Sequence, residues 1–395
     1  MRTLCVAGVY PWPAEDGYRL RLANMVAALA DEGEVDFVCI SRRPVRDAEP
    51  PPPGVRALVV TAAPVGMARR LVAWARSGLP RSQVNRSTVA ANATAAAWLR
   101  GPYDLTYLSH ITSWFHHHDL TDGPTIVDLD NLEHLITRAA RSNRPAASHP
   151  RVLAKWLALQ PIERIDERRM ERLQLRCAAA VDRVTLCSDL DAERSGMRNA
   201  VVIGNGYDRI GSPPLDRSGH RLIFVGALGY APNSDAVRWF AREVLPQVRR
   251  QVPEATFRVV GGGEDAVADV AGLPGVEVVG RVSDLQAELD AATVAVVPLR
   301  SGSGTRLKVV EALANRLPIV STTLGAEGIE LVDGAHVLLA DEPDALAAAC
   351  VRLLGDDALR RRLAGAGEAL WDDRYRWARM RGELVALARQ VVADA

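Results

Sequence analysis

The chain has 395 residues, enough for two or three domains that each bury a core of their own. Its 48 Lys and Arg balance 48 Asp and Glu, so no global field draws it to nucleic acid or to an anionic membrane, and any anion site must be local. Five widely spaced cysteines without Cys-x-x-Cys spacing argue against a disulfide framework or a zinc ribbon, and no apolar run reaches the length of a membrane span.

The amino terminus meets Pro11 and Pro13 too soon for a signal peptide, so a soluble protein of a reducing cytoplasm is expected, with peripheral membrane contact left open. Leu4 to Val9 reads as a buried strand, followed by the loop from Tyr10 to Arg19 and a helix over Leu20 to Ala30. Gly17 lets backbone N–H groups face a ligand, with Arg19 or Arg21 nearby; a plain surface loop is the other reading. Val35 to Ile40 and Val55 to Val60 are the next strands, with Pro44 and Pro50 to Pro53 in a stiff connection between them. Met67 to Leu99 is mostly helical in pattern, interrupted at Gly78 and Pro80, and no basic amphipathic membrane patch stands out.

Leu105 to Leu108 is a strand that delivers Ser109 and His110 at its carboxyl end, where a polar group faces a ligand or serves as a hydrogen-bonded structural histidine. The triplet His116, His117 and His118 is a poor metal site, because adjacent residues of one loop rarely converge on one ion. Thr125 to Leu129 is another strand. Asp130 or Asn131 after it reads as a helix cap, or as an acid orienting a sugar. Alternating charge marks Val152 to Ala179 as a solvated helix, and Val181 to Cys187 as the last strand of the first half, with Ser188 and Asp191 capping a short helix.

Glycine and proline crowd the segment after Val201, which makes it the best interdomain hinge. The second half again opens strand–loop–helix: Leu222 to Val225, the loop from Gly226, and Asn233 or Ser234 capping a helix over Asp235 to Val248. Strands follow at Phe257 to Val260 and Val276 to Val279, with a short helix at Leu285 to Leu289.

The stretch from Val294 to Thr323 carries the clearest chemistry. A short β-branched strand ends at Pro298, a Gly302-x-Gly304 loop follows, and a helix is expected from about Thr305, with Leu307, Val310, Glu311 and Ala314 at spacings of three and four. A glycine loop and helix start at a strand's carboxyl end, with Arg306 and Lys308 in the first turn, suits a phosphate. A turn flanked by solvated cations is the bland alternative, although the helix dipole disfavours cations there. The loop lacks the ending of a Walker A motif, and neither half has a full dinucleotide fingerprint. The repeated strand–helix alternation predicts an α/β chain of two Rossmann-like domains facing a central cleft.

Several segments resemble the retaining glycosyltransferases of GT-B fold, family 4 type. They are Phe224 to Asp235, Val259 to Gly263, Gly280 to Leu285, Pro298 to Ala314 and Leu317 to Thr322, in order across the second half; the first half is similar more loosely. The resemblance implies an acceptor-binding domain over 1–205, a hinge at 206–219, a nucleotide-sugar domain over 220–375 and a terminal helix over 376–395 that returns to the first domain.

It also implies a metal-independent hexosyltransferase with no cofactor, whose partners are a nucleotide sugar and a small-molecule or glycolipid acceptor. Arg306 and Lys308 would hold the diphosphate, with Gly17, Gly226, Gly304 and Thr305 at the donor and Glu311 on the ribose. His110 would contact the sugar or assist the acceptor proton, and Asp130 would position the acceptor. The family often has a second glutamate eight positions before Glu311, where this chain has Ser303. A nucleotide-sugar epimerase of the same fold and a non-catalytic nucleotide-sugar binder are the alternatives. The Ala-, Arg- and Val-rich composition suits a GC-rich bacterium and a biosynthetic role.

Overall fold

The computed structural model describes residues 1–395 apart from Glu15, Asp47, Thr121, 143–149, Leu215 and 303–305, and omits the side chains of 139–140, 142 and 150–152. The chain forms two compact units, 1–204 with 378–395, and 205–377. The glycine-rich residues 205–219 belong to the second unit, and the helix Trp377–Ala393 joins the first from Ala378 onward.

The first unit is built on β1 (Thr3–Ala7), β2 (Val35–Ser41), β3 (Val55–Thr61), a two-stranded ribbon of β4 (Ala63–Pro64) and β5 (Arg86–Ser87), then β6 (Leu105–Ser109), β7 (Thr125–Asp130), β8 (Arg183–Leu186) and β9 (Ala200–Val202). The main sheet is parallel, in the order β3-β2-β1-β6-β7-β8-β9. Every residue of β1, β2 and β6 is buried, because a parallel sheet covered by helices on both faces needs continuous apolar runs. The edge strand β3 is only partly covered.

The second unit has β10 (Arg221–Val225), β11 (Thr256–Val260), β12 (Val276–Gly280), β13 (Val294–Val297), β14 (Ile319–Ser321) and β15 (Val337–Leu339), paired in the order β12-β11-β10-β13-β14-β15. In both units the strand order reverses beside the first strand, between β1 and β6 and between β10 and β13. The carboxyl ends there form the crevice where such sheets bind ligands.

Three local readings change. The helix expected over Asp235 to Val248 begins at Ala231, with Pro232 in its first turn, so Asn233 and Ser234 lie inside it and are not caps; a five-residue π segment, Phe240–Val244, follows. The charged helix runs Pro150–Ala180 and is not merely solvated. Its buried Asp166 accepts from Trp74 Nε1 at 2.8 Å, and its buried Glu167 accepts from Arg138 Nε at 2.7 Å and Arg141 Nε at 3.2 Å. Charge alternation records solubility, but it does not record which carboxylates meet arginines from another helix. Finally, the helix Met67–Ser77 does present an amphipathic surface. It has no buried residue, and it exposes Met67, Leu71 and Val72 beside Arg69, Arg70 and Arg76.

Candidate functional site

In the second unit the loops after β10 and β13 meet over one lysine. Lys308 Nζ donates to Asn233 Oδ1 at 2.7 Å and lies 4.1 Å from the centroid of the Phe224 ring, a cation–π contact. Gly226 leaves the room for this: a Cβ there would stand 2.9 Å from both Lys308 Nζ and Asn233 Nδ2. A Cβ on Gly261, where φ is +143°, would stand 1.9 Å from the Gly226 carbonyl oxygen, so this approach too requires glycine. Arg306 is buried at the start of the helix Leu307–Ala314; its Nε donates to the Leu324 carbonyl at 3.3 Å, and its guanidinium lies 3.8 Å from Glu327 Oε2.

Glu311 follows one helical turn after Lys308, with the Tyr207 hydroxyl beside it. Burial opposes charge on both side chains. It pushes the Lys308 ammonium down to about 7, helped by the Arg306 charge, and raises the Glu311 carboxyl to about 7, against the pull of Lys308 and Tyr207. The two therefore titrate as a pair near neutrality. A group that supplies anionic oxygen to Lys308 and hydroxyls to Glu311 would relieve both penalties.

The first unit holds a cavity of about 1050 Å³ at the carboxyl ends of its strands, lined from the loops after β1, β2, β6 and β7. Its floor carries backbone strain. Among the described residues of this unit, His110 (φ 75°) and Asp130 (φ 57°) are the non-glycine residues at positive φ, and each such placement costs on the order of 1–3 kcal/mol. His110 Nε2 sits 2.9 Å from Glu133 Oε1, and Nδ1 accepts from the Thr112 N–H at 3.4 Å, which puts the neutral ring's proton on Nε2. Burial alone would lower this imidazole. The bond to Glu133 and the charges of Glu133, Asp130 and Asp128 outweigh that and raise it.

The following helix, Glu133–Ser142, starts beyond both Asp130 and Asn131. Asn131 Nδ2 donates to Asp130 Oδ2 at 2.8 Å, and Arg21 Nε lies 3.6 Å from Asp130 Oδ1. Arg21 is fully buried, and forms a fork with Asp128 at 2.9 and 2.8 Å, so this neighbour of Gly17 organises strand ends and does not face the cavity.

The sequence-predicted residues thus fall into two sets. Gly226, Arg306, Lys308 and Glu311 lie in the second unit, where Gly226 and Lys308 are in contact; His110 and Asp130 line the cavity of the first unit. Gly17 opens the first unit's helix Gly17–Asp31 after the cap Asp16. Gly304, Thr305 and Ser303 lie outside the described residues. Sequence reasoning gave Asn233 only a capping role and gave none to Tyr207 or Glu133. Asn233 adjoins the Gly226 loop and was the nearest to being legible, while Tyr207 and Glu133 announce themselves only through contacts made across the fold. The histidines of the triplet are dispersed: His117 Nδ1 meets Asn92 Oδ1 at 2.7 Å, and His118 Nδ1 meets the Trp114 carbonyl at 2.9 Å.

Residues 219–356 match the family model for Glycosyl transferases group 1. A phosphatidyl-myo-inositol mannosyltransferase of Mycolicibacterium smegmatis is 30% identical over 207 residues, 49% of this chain and 52% of that protein, so the chain spans about half the length of this curated relative. An uncharacterized protein of the cps region of Klebsiella pneumoniae is 25% identical over 130 residues, 31% of this chain and 34% of that one. Among solved structures, sucrose-phosphate synthase from Thermosynechococcus elongatus superposes with a TM-score of 0.71 at 18% identity, covering 100% of both chains. Anabaena HepE in complex with UDP-glucose gives 0.60 at 14% identity over 99% of this chain and 100% of that one. WaaG, a glycosyltransferase involved in lipopolysaccharide biosynthesis, gives 0.62 at 11% over 98% and 99%. The chain therefore has the GT-B fold of glycosyltransferases, and its second unit carries the Glycosyl transferases group 1 signature.

Proposed function

We propose that the protein transfers a glycosyl group from a nucleoside-diphosphate sugar to a hydroxyl-bearing acceptor, with retention of configuration and without a metal ion. The observation that carries this reading is Lys308 held against Gly226 and Asn233 at the reversal point of the second sheet, with Glu311 one turn along. As the bond from sugar to phosphate breaks, its electron pair moves onto the diphosphate. Lys308, Arg306 and the helix start stabilise that growing charge more than they stabilise the ground state, which is the work a magnesium ion does elsewhere. Glu311 accepts from the ribose hydroxyls. The acceptor oxygen forms the new bond to the sugar as its proton passes to the departing diphosphate, and His110, held by Glu133, contacts the sugar or assists that proton.

The exposed apolar and basic residues of the helix Met67–Ser77 favour an acceptor presented at a membrane surface over a small soluble one, and a cytoplasmic protein working peripherally to that membrane. A panel of nucleotide sugars read by thermal shift identifies the donor. Mass spectrometry and anomeric proton coupling of the products, with and without a chelator, then read transfer, retention and metal independence. Free epimerised donor with no sugar joined to any acceptor, or a donor panel that leaves the melting temperature unmoved, would overturn the proposal.

A further inference from the structure

The cavity of the first unit is electrically two-sided. One side holds His110, Asp130 and Glu133; the other is lined by Arg42 and Arg43 from the loop after β2 and by Arg86 from β5. Arg86 is half-buried and reaches the end of β1, its Nη1 lying 3.9 Å from where a Cβ on Gly8 would stand. Among the described residues no carboxylate forms an ion pair with Arg42, Arg43 or Arg86, and Arg86 Nε donates only to its neighbour Asn85 Oδ1, at 3.3 Å.

The cost of assembling these cations shows in their surroundings. Burial and the charge of Arg42 push the Arg86 guanidinium down to about 10. Burial and the Arg86 charge together push the His116 imidazole down to about 4, so that ring stays neutral. Among the described residues the cavity acids do not balance the cluster, because Glu133 is committed to His110 and Asp130 to Asn131 and Arg21. Arg86 is half-withdrawn from water while Arg42 and Arg43 stay exposed beside it, and a half-buried cation among like charges is retained where a ligand supplies the counter-charge.

We infer that this cavity seats an acceptor bearing an anionic group, a phosphate or a carboxylate, held by Arg42 and Arg86 while its reacting hydroxyl lies toward His110 and Glu133. The inference rests on the transferase reading for what the ligand does, and on the cavity alone for what it carries.

The test uses the full chain saturated with UDP, so that added phosphate does not report on the second unit, and titrates glycerol 3-phosphate against glycerol by calorimetry. Glycerol 3-phosphate binds about 10- to 100-fold more tightly, the range expected for charge-assisted bonds. Arg42→Ala, an exposed position, weakens it about tenfold; Arg86→Ala weakens it more, and Arg86→Lys restores part of the loss. Equal binding of glycerol and its phosphate, or variants that keep full affinity, overturns the inference.

Phosphatidic acid vesicles that compete with glycerol 3-phosphate place the anion on a lipid headgroup, and failure to compete leaves it on a soluble acceptor. Anionic vesicles bound equally by Arg42→Ala, with glycerol 3-phosphate unbound, overturn the cavity site and assign the charge to the surface. Transfer is scored separately. Arginine-dependent phosphate binding without any glycosylation sinks the transferase reading alone, whereas efficient transfer to neutral alcohols with no phosphate binding sinks the anion site alone.

Discussion

Replacing Gly226 by alanine places a methyl group 2.9 Å from both Lys308 Nζ and Asn233 Nδ2, about half an ångström inside ordinary contact. The tip of a lysine is soft, so the side chain moves and the sheet does not. The cost to folding should stay on the order of 1 kcal/mol, a melting shift of about 2–4 °C for a unit the size of 205–377. The cost to binding is larger, because the 2.7 Å bond to Asn233 that aims the ammonium is lost. A charge-assisted hydrogen bond contributes roughly 1.5–3 kcal/mol, so UDP affinity should fall by roughly 10- to 150-fold. Calorimetric titration with UDP, run beside a thermal melt, separates the two effects. Gly261→Ala is the contrast: its Cβ would stand 1.9 Å from the Gly226 carbonyl oxygen, a backbone atom that cannot step aside, so the fold itself should fail. If Gly226→Ala binds UDP within twofold of wild type, or melts as badly as Gly261→Ala, the argument that this glycine exists to admit Lys308 is wrong.

UDP affinity should be bell-shaped in pH and centred near 7, since Lys308 must hold its proton and Glu311 must have lost its own; Lys308→Arg should remove the alkaline limb and Glu311→Gln the acid limb, and a flat profile in the wild type would exclude the pair as ligands. Asp128→Asn removes the forked counter-charge of the buried Arg21 guanidinium, leaving only Asp130 at 3.6 Å, and should cost about 3 kcal/mol in urea melts. Burial raises the Asp128 carboxyl, but Arg21 and the bonds it accepts outweigh that and lower it, so its contribution is complete above the unfolded carboxylate pKa and lost as pH falls through the lowered folded value. NMR titration of His110 should give a pKa above the usual histidine value that drops in Glu133→Gln. The matching stability is present below the unfolded pKa and disappears as pH rises through the raised one; an imidazole indifferent to Glu133 would remove that pair from the mechanism.

The central parallel strands were legible because they are short apolar runs buried on both faces, and β10, β11 and β13 lie within a residue of where periodicity puts them. Gly226, Arg306, Lys308 and Glu311 were legible because a glycine loop opening a helix after a strand has few other uses. What the sequence hid is what distance along the chain hides. Asn233 reads as a helix cap until Lys308, 75 residues later, is seen to take its side-chain oxygen. Arg42 and Arg86 look like unrelated surface charges, because nothing in either segment says that β2 and β5 end at one cavity. His110 carried the opposite problem: its place at a strand tip was plain, but its positive φ and its bond to Glu133 depend on where β7 ends.

The helix Trp377–Ala393 ties completion of the first unit to prior synthesis of the second. Leu384, Ala388 and Val391 are buried in the first unit, Arg381 Nε reaches Asn24 Oδ1 at 3.0 Å, and Arg389 Nε reaches Glu32 Oε2 at 2.8 Å. Residues 1–204 therefore leave the ribosome with an uncovered apolar face, which stays open while all of 205–377 is synthesised and folds. A stop codon after Trp377 would leave the second unit whole and expose the core of the first. The first unit is complete only after the second has been made.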